Sequence, residues 1–378
     1  MSVVTDLQLN STPSLALEIF NVTQLDLAEN GEREIAMTML RVLLPIIIFF
    51  GTLGNLLTFA VLVRRSMRTT PTFLYLTVLA LADTIVLYLS GFKSWIRIVT
   101  GYELLHSSDV ACRLMIYVLL CAFYMSSWLI VLITVDRFIV VFFPFNAYTI
   151  LRIRQARVAA ACLALIVALC NIHVFWSFRL SIDESGRMTC DSADDDWFMN
   201  EIFEYLKLVT YSGIPFVLVL TLNVCLIVRI KRRTNAFTTR TPRLKAQRPF
   251  YLARRQPCLS SSVSSTMSTQ LIMTTPNIGQ RRLTRLLLIV SFAWLGLTAP
   301  FTLHALFFDT TPSARNLLVK SVCFLLMYLN HATNFYLYCI TGQRFRGDLK
   351  KMLTFRWISR CSMALKASAV RTLSNSNG

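Results

Sequence analysis

The chain has 378 residues, 55% hydrophobic and 15% charged, with a mean hydropathy of +0.56. Soluble domains carry about 25% charged residues, so a water-soluble globular protein is excluded. The net charge of +18 sits in a few blocks between long uncharged runs, which argues against nucleic-acid binding.

Residues 1–38 form a polar tail with two glycosylation sequons, at Asn10 and Asn21. The first 20 residues lack a basic start followed by an apolar block, so no cleavable signal peptide is expected. Seven spans follow within 39–342, at about 39–64, 70–97, 110–142, 156–178, 205–230, 284–308 and 317–341. Six contain an uncharged run of at least 21 residues, and the second is interrupted only by Asp83. About 20 residues cross the bilayer core as a helix, and barrel strands would be shorter and alternating. The expected fold is therefore an all-α membrane protein, a seven-transmembrane helix bundle.

The segment at about 231–283 is Arg-rich and then Ser/Thr-rich, and its composition predicts a disordered third inner loop. Residues 343–378 form a short amphipathic eighth helix and a tail. Arg344, Arg346, Lys350, Lys351, Arg356 and Arg360 alternate there with Phe345, Leu349, Met352, Leu353, Phe355 and Trp357. That pattern suits a helix on the membrane surface, and Cys361 is a candidate for palmitoylation.

Lys and Arg accumulate in cytoplasmic loops. With the N-terminus outside, the inner segments hold 28 of the 38 basic residues against two acidic ones, a net of +26, while the outer side carries −7. This orientation puts both sequons outside and predicts a multi-pass plasma-membrane protein. Of the ten cysteines, Cys112 falls at the outer mouth of the third span and Cys190 in the second outer loop. The outside is oxidising, so a Cys112–Cys190 disulfide is expected, the alternative being two free thiols.

Asp83 lies near the bilayer middle, where a charge costs several kcal/mol and marks a functional site. Asn55, Ser126, Asn330 and Asn334 sit at similar depth. Such oxygens suit a hard monovalent cation, or else form a polar cluster that holds the helices together. Asp136 and Arg137 pair at the inner end of the third span, and Pro45, Pro215 and Pro300 interrupt spans one, five and six. No nucleophile–base pair, metal-ligand spacing or phosphate loop occurs, so no enzyme is expected. A multi-pass transporter is the other class to weigh, but no internal repeat of that kind is present.

In order along about 40–355, these residues resemble the rhodopsin-like G-protein-coupled receptors. Gly54-Asn55, Leu79-Ala80-Leu81-Ala82-Asp83, Cys112 with Cys190, Asp136-Arg137-Phe138, Pro144-Phe145, Pro215, Pro300 and Asn334-Phe335-Tyr336-Leu337-Tyr338 match the family's ordered motifs. The resemblance implies that Asp136, Arg137, Phe138, Phe145, Pro300 and Tyr338 belong to the activation switch and G-protein contact. It implies that Asp83, Ser126, Asn330 and Asn334, with Asn55 beside them, line an allosteric sodium pocket, and that no other cofactor is bound. There are departures. The sixth-helix Trp toggle reads Leu297-Thr298-Ala299-Pro300, with Trp294 one turn inward, and Asn223 and Gln280 replace a fifth-helix Tyr and a sixth-helix Glu.

Leu119 stands where amine receptors carry Asp, and Tyr328 where opsins carry the retinal Lys. Peptides and lipids remain. An outer cavity lined by Tyr117, Tyr124, Tyr211, Phe301, His304, Phe324 and Tyr328 suits an Arg-aromatic peptide. Acidic residues of the second outer loop, among them Asp194, Asp195 and Asp196, would steer a cationic ligand. Asn171-Ile172-His173 with Phe175-Trp176, and the Asn-Phe-x-x-Tyr motif, are similar to invertebrate FMRFamide-type neuropeptide receptors. The implied partners are an amidated cationic neuropeptide, a heterotrimeric G protein, acidic membrane lipids and an arrestin recruited by phosphorylation of the third loop.

Overall fold

In lipid every backbone N–H and C=O must be paired within the protein, and helices dominate the computed structural model for that reason. It describes residues 30–67, 70–102, 108–182, 188–192, 203–246, 278–307 and 314–354. Helix one is Asn30–Leu62, helix two Pro71–Thr100, helix three Asp109–Phe142 and helix four Ile153–Cys170. Helix five comprises Phe203–Leu208, Val209–Gly213 and Ile214–Ala246 without a break. Helix six is Ile278–Phe307 and helix seven Ala314–Thr341. A short helix, Pro144–Ile150, lies between helices three and four, and helix eight covers 343–354. Among the described residues, six helices are long and apolar enough to cross a membrane by length and composition. Helix seven has 28 residues but carries Asn330, His331 and Asn334, whose side chains are buried within the bundle.

Several boundaries differ from the sequence expectation. Helix one begins at Asn30, inside the segment assigned to the tail, and Glu32 in its first turn complements the helix dipole. The fourth span runs Ile153–Ser177, its regular helix broken after Cys170, where the Asn171 side chain takes the Val167 carbonyl at 2.8 Å. The chain then makes a four-residue turn of helix and enters an antiparallel hairpin, β1 Phe178–Ile182 with β2 Met188–Ser192, Leu180 opposite Cys190. Helix five runs to Ala246 and helix six starts at Ile278. Both reach into the segment expected to be disordered, because extending an existing helix needs no new nucleus.

Two wide, five-residue-type turns punctuate the helices: Leu87–Phe92 in helix two and Val209–Gly213 in helix five are π-helical. Such segments re-aim side chains and recur at functional sites.

The core has two apolar layers. The inner one gathers Leu79, Leu129, Leu287, Trp294, Tyr338 and Phe345. The outer one gathers Ile48, Leu87, Leu119, Phe123, Phe324 and Tyr328. Between them along the helices lie Asn55, Asp83, Ser126, His331 and Asn334, all buried. On the outer faces Phe49, Leu56, Leu165, Ile166 and Val217 point away from the bundle, as a lipid solvent requires.

Helix one meets helix seven closely. A Cβ on Gly51 would lie 2.7 Å from Ala332 Cβ and 3.0 Å from its Cα, and one on Gly54 would lie 2.9 Å from Phe335 Cβ. Small residues permit such backbone approach between membrane helices. Gly51→Val is therefore expected to abolish most cell-surface expression, read by antibody binding on intact cells. Gly296→Ala, whose added methyl meets nothing within 4 Å, should leave expression unchanged.

Candidate functional site

At the end of the bundle where helix three begins, the hairpin is fixed to that helix. Cys190 on β2 is disulfide-bonded to Cys112, with a Cα–Cα distance of 5.8 Å. Ser108 caps helix three by accepting from Ala111 N at 3.1 Å. Asp109, in the first turn, accepts from Leu180 N of β1 at 3.1 Å and pairs with Arg113 at 2.7 Å. Arg113 in turn donates to the Phe175 carbonyl at 2.8 Å. Cys112, Ile116, Val174, Phe178 and Cys190 close an apolar knot beneath these bonds. The hairpin is thus anchored covalently, by hydrogen bonds and by burial.

Below it lie most of the expected cavity residues. The Phe301 and Phe324 rings are 4.9 Å apart, and Phe324 is 6.3 Å from Tyr328. The Tyr328 hydroxyl bonds Ser90 Oγ of the π segment at 2.7 Å. Tyr211, in the other π segment, lies 6.0 Å from Tyr124 and 5.5 Å edge-on to Phe123. Thr210 beside it bonds the Tyr124 hydroxyl at 2.9 Å and gives its carbonyl to Trp128 Nε1 at 3.2 Å. His304 Nε2 meets Asn316 Oδ1 at 2.6 Å. Tyr117 departs from the expected set. Its ring packs 4.9 Å from Phe175, and its hydroxyl donates to the Ala168 carbonyl, so it serves the helix-four contact. Sequence reasoning passed over Phe123 and two buried lysines, Lys93 and Lys207, the latter 6.0 Å over the Phe178 ring.

The polar layer is organised around Asp83, which is fully buried. Its Oδ1 accepts from Ser126 Oγ at 2.8 Å and meets His331 Nδ1 at 2.7 Å, and its Oδ2 accepts from Asn334 Nδ2 at 2.8 Å. The imidazole tautomer with its proton on Nδ1 donates to the carboxylate at this contact. Asn55 does not reach the carboxylate but donates to the His331 carbonyl at 3.1 Å, leaving its Oδ1 buried without a partner among the described residues. Asn330, though buried, makes no hydrogen bond to Asp83. His331 was missed from sequence, although an ionisable residue beside Asn330 at membrane depth is a signal in itself. The Phe123 ring lies 5.7 Å edge-on to the imidazole, so a chain of aromatic contacts runs from Tyr124 through Tyr211 and Phe123 to His331.

At the inner end Arg137 and Asp136 are both buried and paired. Thr72 of helix two joins them: its hydroxyl donates to Asp136 and accepts from Arg137 Nη2 at 2.6 Å. Asn223 and Ser291 join helix five to helix six at 2.9 Å, both fully or nearly buried. The Tyr338 hydroxyl is buried with no partner among the described residues. Phe138 stacks on Phe142 at 4.2 Å, and Phe145 on the short inner helix is 71% exposed. Pro300 lies within helix six, between the outer-layer Phe301 and the Thr298 hydroxyl bound to the Trp294 carbonyl. Helix eight is clamped: Arg346 donates to the Cys339 and Ile340 carbonyls at the end of helix seven, and Asp348 accepts from Ser66 at 3.1 Å. Asn10, Asn21, Asp194, Asp195, Asp196 and Cys361 lie outside the described residues.

Residues 54–338 match the sequence pattern described as "7 transmembrane receptor (rhodopsin family)". The chain is 24% identical to a thyrotropin-releasing hormone receptor of Gallus gallus over 336 residues, 84% of this chain and 78% of that protein. It is 26% identical to the G-protein coupled receptor E1 of Equine herpesvirus 2 over 146 residues, 39% of this chain and 37% of the relative. It is 25% identical to the human cysteinyl leukotriene receptor 2 over 193 residues, 49% of this chain and 52% of the relative.

The hairpin anchor is testable without a ligand. Cys190→Ser removes a bond typically worth about 2–4 kcal/mol and is expected to lower the Tm of the detergent-purified protein by several degrees. An unchanged Tm would show that Asp109 and the apolar knot suffice to hold the hairpin.

Proposed function

Because the chain belongs to the rhodopsin family of seven-transmembrane receptors, which are signalling proteins and not enzymes, we propose that it binds an extracellular peptide and activates heterotrimeric G proteins from the plasma membrane. The observation that carries the peptide reading is the aromatic cluster beneath an anchored hairpin, formed by Phe123, Tyr124, Tyr211, Phe301, Phe324 and Tyr328. Aromatic faces favour cationic groups, and the acidic second outer loop suits a cationic, amidated ligand. The N-terminus is outside in this reading, as the charge asymmetry requires.

The finer likeness to FMRFamide-type receptors adds little. Asn171 is spent in ending helix four, and Trp176 is 67% exposed beside it, so neither supports a ligand contact. A second reading, an anionic lipid or small acid, is favoured by one observation. Lys93 and Lys207 are buried in the outer half of the bundle, and the relatives named for a releasing hormone and for a cysteinyl leukotriene leave both classes open.

The mechanism is a two-state equilibrium that the ligand biases. In the resting state Arg137 lies on Asp136 and Thr72, and Asn223 and Ser291 hold the inner halves of helices five and six. A ligand pressing on Tyr211 and Phe123 moves the aromatic chain that ends at His331. Helix six then swings about Pro300, Arg137 turns toward the G protein, and the Tyr338 hydroxyl gains a partner. Phe145 offers an apolar contact at that surface. The basic residues of helix eight suit an acidic leaflet, and phosphorylation of the Ser/Thr-rich third loop would favour an arrestin.

The reading is tested in cells carrying promiscuous G proteins, with calcium recorded against a panel of amidated cationic peptides and acidic lipids. A peptide response that vanishes in Arg137→Ala at normal surface expression is the expected outcome, and a response to acidic lipids alone would select the second reading. Phe145→Ala should reduce coupling several-fold without changing ligand affinity. Thr72→Val should raise agonist-independent signalling, because losing the resting hydrogen bonds costs about 1 kcal/mol, a factor of roughly five in the equilibrium.

A further inference from the structure

We infer that the Asp83 site of this receptor is closed to sodium, the His331 imidazole standing on the carboxylate where an ion would have to bind. A hard cation is held by convergent oxygens. The atoms that face Asp83 are instead one hydroxyl, from Ser126, and two nitrogens, His331 Nδ1 at 2.7 Å and Asn334 Nδ2 at 2.8 Å. Both nitrogens carry hydrogen toward the carboxylate, and that polarity repels a cation. An ionised carboxylate offers about four acceptor directions, and protein donors occupy three of them. Asn55 Oδ1 is an oxygen without a partner, yet its amide nitrogen is committed to the His331 carbonyl and no hydrogen bond links it to Asp83. The cluster is also sealed, with Asp83 at 0%, Ser126 at 2% and His331 at 2% exposure, and Phe123 packs edge-on against the imidazole from the ligand side. An ion approaching from any of those three directions must break a buried hydrogen bond to a charged group, which costs more than an ordinary one, and a single remaining direction supplies no oxygen cage for it.

The consequence is that a fixed side chain of helix seven bridges helices two and three, where a diffusible ion would leave the link dependent on its concentration. The equilibrium between resting and signalling states is then insensitive to sodium. The test needs no ligand, so its outcome is independent of the peptide reading. Purified receptor is heated in sodium chloride and in choline chloride of equal ionic strength, with unfolding followed by a thiol-reactive dye. Equal Tm values are expected. His331→Ser should open the carboxylate, so that sodium raises the Tm by a few degrees, and the double variant His331→Ser with Asp83→Asn should lose that rise. Stabilisation of the unmodified receptor by sodium, abolished by Asp83→Asn, would overturn the inference. A His331→Ser protein that purifies but shows no sodium response would overturn the role given to the imidazole. Should that variant not fold, the comparison on the unmodified receptor still decides.

Discussion

A carboxylate placed at the middle of a membrane must find donors or be neutralised, and Asp83 finds three. Ser126 comes from helix three, and His331 and Asn334 come from one face of helix seven, three residues apart, with Asn55 of helix one bound to the His331 carbonyl. Four helices are therefore fixed in rotation and in height by the demands of one charged group. The apolar layers above and below have no such directionality, since Leu and Phe pack in many ways. The polar layer supplies the register that they lack.

The two ends of the bundle depend on that register. Outward, Phe123 rests on His331, and Tyr211 rests on Phe123 through a π-helical turn. Inward, helix two carries Thr72 to the Asp136–Arg137 pair, so the same helix that holds the buried carboxylate also holds the arginine down. Spatial continuity of this kind is a physical route for coupling, and two discrete arrangements of Arg137 and helix six would make it a switch.

The number and order of the spans were legible because lipid imposes a length and an apolar composition on each segment. The disulfide was legible from the placement of two cysteines at one face. What the sequence hid were contacts between segments and local departures from regular helix. No periodicity marks Leu87–Phe92 or Val209–Gly213 as π-helical. Nothing local tells that Thr72 meets Arg137 or that Asn223 meets Ser291. The apolar pattern of the fourth span runs past Asn171 unbroken, but its regular helix breaks there, since one side-chain amide bonds the backbone. Tyr117 belongs by residue type to the aromatic cavity set, but its place around the helix axis turns it to helix four. His331 lies among the polar residues of the seventh helix at the same depth as Asn330 and Asn334, and only the packed bundle shows that its ring, not Asn330, reaches Asp83.

The partners of Asp83 are far apart in the order of synthesis. Chains are made and fold from the N-terminal side, so helices two and three enter the membrane with only Ser126 available to the carboxylate. By then the cysteines that close the outer hairpin, Cys112 and Cys190, have both been made. His331 and Asn334 arrive with the last helix to be inserted. A nascent bundle of six helices therefore carries an incompletely satisfied charge at its centre, and the arrival of helix seven relieves it.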